Sequence, residues 1–213
     1  GLQYTSSGHS AFITGIAVVL VPILLVIIYR QRIKKTETIS ILVVIIGLFL
    51  LTYDLDTHFN NGDLITLITA FSLAFHIIFS GRFVKTTESL ALITYQFVSG
   101  SIYCGIASLF IASANDFEAI SISSNTLIAI MYLGAFGTLF CYFVSVWVQK
   151  YESSVKVALI FSLEPVFAAL FAYLFVNEVL SFKEMMGTFL ILIGVILYQI
   201  LKSRSAIFSL KRG

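Results

Sequence analysis

Seven long apolar segments, separated by short polar loops, constrain this chain more than any other feature. Crossing a hydrocarbon core about 30 Å thick takes roughly 17–25 apolar residues in a helix. The sequence therefore predicts an all-α integral membrane protein with seven transmembrane helices. The second and last segments are short, so we expect them to take in flanking residues or to lie where the bilayer thins. The segments cover about residues 9–29, 38–53, 64–81, 90–113, 126–149, 155–176 and 185–201.

The composition argues against the other large classes of protein. Apolar residues make up 59% of the chain and charged residues only 11%, whereas soluble domains carry about 25% charged residues. A net charge of +2 and the lack of a glycine-rich phosphate loop give no reason to expect nucleic-acid binding. Without HExxH, GxSxG or paired aspartates within the spans, we expect no enzyme. Cys104 and Cys141 lie inside apolar runs, and we expect no metal site and no cofactor.

The lysines and arginines predict how the chain is oriented in the membrane. Twelve of the 13 lie at alternate loop boundaries and in the tail, and only Lys183 lies at the opposite set. Positive residues accumulate on the cytoplasmic side. We therefore expect a multi-pass protein of the inner or plasma membrane, with Gly1 outside and the C-terminus in the cytoplasm.

An internal repeat relates the two ends of the chain. Residues 4–53 match residues 151–200 without gaps at an offset of 147, and Glu37 meets Glu184. The first and sixth spans are five crossings apart, so they run in opposite directions. Such an inverted repeat is typical of secondary transporters. In this register about 85 further residues upstream, with three more helices, would complete the first repeat and give ten helices.

The residues resemble the EamA-type transporters of the drug/metabolite transporter superfamily. GLQYTSSGHSAFITGIAVVLVP is similar to the junction of the family's third and fourth helices, and GDLITLITAFSLAFHIIFSGR to the opening of its second repeat. YLGAFGTLFCYFVSVWVQKYESSVKVALIFSLEPVFAALFAYLFVNEVLSFKEMMGTFLILIGVIL is similar to its last three helices. Two positions depart from the family: Asn177 replaces the usual glycine before Glu178, and His76 replaces an aromatic residue.

The resemblance implies a ten-helix fold of two inverted five-helix repeats, N-terminally incomplete here. Residues 1–61 would hold the last two helices of the first repeat, residues 62–201 the second repeat, and residues 202–213 a basic cytoplasmic tail. It also implies a transporter of small organic solutes, such as metabolites, amino acids or drugs, working by alternating access in the lipid bilayer. Proton coupling and the oligomeric state stay open. The alternative is a non-transporting membrane component or partner subunit that lacks the first three helices.

Glu164 and Pro165 are the most unusual residues of the spans. Glu164 lies about ten residues into the sixth apolar segment, and a charge at the centre of a membrane helix costs about 2.5–3.5 kcal/mol. Pro165 leaves the carbonyl of Phe161 without its helical donor. Glu164 is therefore either a hydrogen-bonding group that pins a neighbouring helix or a substrate- or proton-binding group in a wet cavity.

The repeat separates the roles of these two residues. It pairs Glu164 with Ala17 and Pro165 with Val18, and the first span has its own proline, Pro22, one turn further on. We therefore predict that Pro22 and Pro165 bend equivalent helices, whereas the carboxylate belongs to one repeat only.

Four further polar side chains within the spans are candidates for binding substrate or protons. Histidine titrates near neutral pH when it is hydrated, although a lone histidine in an apolar helix often only packs. A phenol or an amide in a span commonly forms an interhelical hydrogen bond, and a substrate contact is the alternative. These candidates are His76, Tyr95, Gln96 and Tyr142.

Overall fold

In the computed structural model, residues 4, 7–52, 60–111, 123–177 and 179–210 are described, and among them there is no β-strand. These residues contain seven helical spans that are long and apolar enough to cross a membrane, so the predicted all-α fold with seven spans is confirmed. The short second and last segments take in flanking residues, as expected: the second runs Lys35–Thr52 and the last Phe182–Ser203.

The spans are built from ten α-helices and two π-helical stretches among the described residues. Span 1 comprises α1 (Ser7–Gly15) and α2 (Ala17–Tyr29), span 2 is α3 (Lys35–Thr52), span 3 is α4 (Asn61–Phe83) and span 4 is α5 (Ser89–Ile111). Span 5 comprises α6 (Ser124–Tyr132), a π-helical stretch (Leu133–Phe140) and α7 (Cys141–Gln149). Span 6 comprises α8 (Ser154–Phe161), α9 (Glu164–Phe171) and a π-helical stretch (Ala172–Val176), and span 7 lies within α10 (Phe182–Leu210).

Spans 1 and 6 are each interrupted at a residue that the 147-residue offset makes equivalent. The backbone of Ile16 has φ −59° and ψ −19°, and that of Leu163 has φ −76° and ψ −14°. In span 6 the cause is Pro165, which has no N–H to donate to the carbonyl of Phe161. The Leu163 N–H turns to the carbonyl of Ile160 at 3.0 Å, closing a tighter turn.

Pro22 does not stand at the interruption of span 1. It lies buried inside α2, which continues from Ala17 to Tyr29, whereas the interruption falls at Ile16. Gly15 comes directly before this interruption, and glycine is the residue type with the greatest backbone freedom. A bend at Pro22 itself stays a prediction.

Several helix starts and one pair of helix ends at the two ends of the chain follow the repeat register. Among the described residues, the two non-glycine residues with positive φ are Arg30 (φ 53°) and Asn177 (φ 58°), which are 147 apart. Each ends its helix in the left-handed conformation. The paired helix starts are Ser7 with Ser154, Ala17 with Glu164, and Lys35 with Phe182.

The carboxylates that begin α3 and α10 also correspond. The Lys34 N–H donates to Glu37 Oε2 at 3.0 Å, and the Ser181 N–H donates to Glu184 Oε2 at 2.6 Å. A carboxylate three residues into a helix satisfies an N–H that has no partner within the helix. The glutamate match found in the sequence is therefore a shared helix start.

Helices α3 and α10 pack backbone to backbone through glycines. A Cβ atom on Gly187 would lie 2.7 Å from the Gly47 carbonyl oxygen, and one on Gly194 would lie 3.1 Å from that of Ser40. The offset maps Gly47 onto Gly194 and Ser40 onto Gly187, so the two contacts are equivalent. Later residues of α3 meet earlier residues of α10, and the two helices are therefore antiparallel.

The chain divides into two compact units. The first comprises residues 1–79 and 153–213, and the second residues 80–152. In the second unit Val84, Ile93 and Val146 form a buried apolar cluster. Many large apolar side chains of both units are exposed, as membrane spans facing lipid require. The boundaries that the resemblance implies, at residues 61/62 and 201/202, stay predictions.

Candidate functional site

A cavity of about 360 Å³ lies within the first unit, lined by residues of spans 1, 3 and 6. Most of the lining is apolar, from alanine to phenylalanine, and four side chains are polar: Ser10, Thr14, Ser162 and Glu164. Small-molecule sites are generally apolar concavities with a few placed polar groups. The cavity has that composition.

The repeat register runs through the cavity lining. Ten of the 14 lining residues form five pairs at the offset of 147, so equivalent stretches of spans 1 and 6 contribute equivalent positions. The interruptions at Ile16 and Leu163 fall within these same stretches. The five pairs are Ala11 with Ala158, Thr14 with Phe161, Gly15 with Ser162, Ala17 with Glu164, and Val18 with Pro165.

Glu164 lies on the cavity wall directly after the interruption of span 6. It is the first residue of α9, where the N-terminal end of the helix carries a partial positive charge that favours a carboxylate. Its side chain is exposed. Within the residues that the structure describes, no hydrogen bond or ion pair engages the carboxylate. Which of the two roles Glu164 has stays a prediction.

Three hydroxyl groups that sequence reasoning missed accompany Glu164. Ser10 and Thr14 are four residues apart on α1, so they lie on one face of that helix. The Ser162 hydroxyl donates to the Leu159 carbonyl at 2.6 Å, so its oxygen is left to act as a hydrogen-bond acceptor. The polar spacing of Ser10 and Thr14 in an apolar run was a signal in the sequence, although a weak one.

The other four candidates do not line this cavity. His76 lies in span 3 beside Ile77, which does line it. Gln96 donates from Nε2 to Ser80 Oγ at 2.9 Å, the interhelical hydrogen bond that was the structural alternative. Tyr95 is 73% exposed. Tyr142 packs edge-on against Phe97, with ring centroids 6.0 Å apart.

The described part of the chain also bears on metal binding and on the cysteines. In it, no group of three or more His, Cys, Asp or Glu side chains is placed to hold a metal ion. Cys104 and Cys141 are free thiols and are exposed.

Comparison with known proteins connects this architecture with transport. A family model described as the EamA-like transporter family matches residues 60–199. An uncharacterized transporter of Archaeoglobus fulgidus is 29% identical over 197 residues, covering 92% of this chain and 62% of that protein. The uncharacterized transporter YdfC of Bacillus subtilis is 21% identical, covering 88% of this chain and 60% of that protein.

Further likenesses extend to a plant protein and to a crystal structure. A WAT1-related chloroplastic protein of Arabidopsis thaliana is 25% identical over 209 residues, covering 92% of this chain and 49% of that protein. One solved crystal structure superposes with a TM-score of 0.79 over 95% of this chain and 70% of that chain, at 12% identity, a likeness of fold.

The chain thus spans about three fifths of the length of the first two curated relatives, at 62% and 60%. The family match covers well over half of its residues, and the seven apolar spans have the composition that a multi-pass transporter requires. The chain is a multi-pass membrane protein that belongs to the EamA-like transporter family.

Proposed function

We propose that this chain belongs to a secondary transporter that carries small organic solutes, such as metabolites, amino acids or drugs, by alternating access. The observation that carries the proposal is the cavity between spans 1, 3 and 6, with the Glu164 carboxylate on its wall. A charged side chain in a membrane span generally faces a water-filled cavity or a partner and marks a substrate or ion pathway.

The interruptions of spans 1 and 6 support alternating access. Broken helices at membrane depth are tolerated where they line a cavity, and here both breaks, at Ile16 and Leu163, lie within the stretches that line it. Many transporters bind substrate at the interface of inverted repeats and rock one repeat against the other. The antiparallel, register-matched pair of α3 and α10 is the contact that such repeats would share.

Glu164 is the residue to which we assign the binding step. An ionised carboxylate accepts hydrogen bonds only, so it binds an ammonium or hydroxyl group of a solute, or takes up a proton when the solute leaves. The second role would couple transport to a proton gradient. Pairing with an ammonium group and taking up a proton both require the carboxylate, and not merely a polar side chain of the same size.

The test is uptake by the full-length protein in proteoliposomes, comparing wild type with Glu164→Gln. We expect the variant to lose at least about tenfold in rate, equivalent to about 1.4 kcal/mol, or to transport without dependence on a proton gradient. Glu88→Gln makes the same chemical change at an exposed residue outside the cavity and should leave uptake unchanged. Wild-type rates and wild-type pH dependence in Glu164→Gln would refute the role.

The alternative, a non-transporting membrane component, is tested by measuring flux with the 213-residue chain alone. Because it spans only about three fifths of its relatives, we predict that the isolated chain in proteoliposomes gives no flux above empty vesicles. The full-length protein is the positive control. Robust flux through the isolated chain would contradict the prediction. A full-length protein that stays inactive across a broad solute panel would instead favour the partner-subunit role.

A further inference from the structure

The two repeats contribute equivalent backbone positions to the cavity wall, but only one of them contributes a carboxyl group. The register pairs Glu164 with Ala17, and both residues line the cavity. Among the lining residues that the structure describes, Glu164 is the ionisable side chain, and none is a lysine, arginine or histidine. A solute in contact with these described residues therefore meets one carboxyl group and no basic side chain.

This distribution discriminates between classes of small solute. An ammonium group gains a charge-assisted hydrogen bond from the carboxylate, which is stronger than a bond between neutral groups. A solute carboxylate would be repelled by Glu164, and among the described lining side chains it would find only hydroxyl donors, on Ser10 and Thr14. Removing an ionised group from water without a charged partner is costly. Zwitterions and anions are therefore disfavoured relative to amines.

The rest of the wall suits an apolar body attached to the amine. Leu73, Ile77, Ala168 and Phe161 contribute hydrocarbon surface, and an aromatic ring also attracts cations to its face. A volume of about 360 Å³ falls within the range of small-molecule sites. It is ample for an amine with a phenyl ring or a short alkyl chain.

We infer that this cavity is a cation site that binds primary arylalkyl- and alkylamines in preference to zwitterionic amino acids and carboxylate anions. The inference rests on the proposed function, since it assigns a solute class to the cavity through which transport is proposed. Within that proposal it narrows the solutes to amines, with Glu164 as the residue that sets the preference.

The experiment is isothermal titration calorimetry, in which four probes are titrated into the purified full-length protein in detergent at pH 7. Phenethylamine and hexylamine are cations at this pH, phenylalanine is a zwitterion and 3-phenylpropionate an anion. We expect at least one of the amines to bind about tenfold or more tightly than phenylalanine, with no measurable binding of 3-phenylpropionate. Glu164→Gln should weaken amine binding about tenfold and remove the preference, whereas Glu88→Gln should change neither.

Glu164→Asp guards against a variant that merely fails to fold. It keeps the charge and should retain the order of preference, and its elution as a single species on size-exclusion chromatography checks folding. Equal or tighter binding of phenylalanine, absence of binding by both amines, or unchanged preference in folded Glu164→Gln would overturn the inference. Amine binding that depends on Glu164 but is accompanied by no transport would refute the proposed function and leave the inference standing.

Discussion

Asn177 and Arg30 occupy a backbone conformation that few side chains adopt without strain. Their φ angles are 58° and 53°, in the left-handed region where glycine and asparagine are the usual residues at a helix end. The Asn177 N–H donates to the Ala172 carbonyl as its helix ends. The resemblance to EamA-type transporters implies a glycine at this position, and a positive φ would allow glycine and asparagine to exchange there.

We therefore predict opposite results from two substitutions at Asn177. Asn177→Val places a β-branched side chain at positive φ, which should destabilise the protein by about 1–2 kcal/mol. Asn177→Gly should be neutral or slightly stabilising, since glycine adopts this conformation without strain. Thermal unfolding of the purified protein in detergent measures both. Equal midpoints for the two variants would show that this helix end does not need the left-handed conformation.

Most residues of the candidate site could not be predicted from the sequence. Glu164 was identified because a carboxylate in an apolar run is costly, and the structure places it on the cavity wall. Ser10 and Thr14 were missed because a span that is apolar on all sides does not reveal which face points inward. Gln96 could not be separated from a binding residue until its partner, Ser80, was known.

The sequence predicted the helices much better than it predicted the residues of the candidate site. Length and apolar composition alone predict the seven spans, since the bilayer fixes how long a helix must be. The repeat register also anticipated the equivalent helix starts of α3 and α10. The interruption at Ile16 was not anticipated, because proline is the strong breaking signal and Pro22 lies further along α2.

The contact between α3 and α10 yields a prediction for glycine substitutions. A Cβ atom on Gly187 would collide with the backbone of Leu51 and Gly47, which cannot move aside like a flexible side chain. Gly187→Ala must therefore separate the helices, and we expect a loss of stability of about 1–3 kcal/mol. Thermal unfolding in detergent measures it.

A matched control comes from the glycines of the other unit. A Cβ on Gly100 would meet no atom of the described residues within 4 Å. Gly100→Ala should therefore be neutral or raise stability by about 0.5–1 kcal/mol, since alanine favours helix. If Gly187→Ala unfolds at the same temperature as Gly100→Ala, the close packing of α3 and α10 is not a stability determinant.

The inverted repeat and the distribution of positive charges must predict the same orientation of the spans in the membrane. Spans 2 and 7 are five crossings apart, so they must run in opposite directions, and α3 and α10 are antiparallel where their glycines meet. Twelve of the 13 lysines and arginines lie at the boundaries that we assign to the cytoplasm. The same side then holds the C-terminus and the loop between spans 3 and 4.

This orientation can be tested by labelling single cysteines in a background where Cys104 and Cys141 are replaced by serine. Thr86→Cys marks the loop between spans 3 and 4, and Ser123→Cys marks the start of span 5; both residues are exposed. Because positive residues stay in the cytoplasm, a membrane-impermeant maleimide should label Ser123→Cys in intact cells. It should label Thr86→Cys only after permeabilisation. The reverse pattern would invert the assignment, and labelling of both sites in intact cells would mean that the chain inserts in two orientations, so that its charge asymmetry does not fix its topology.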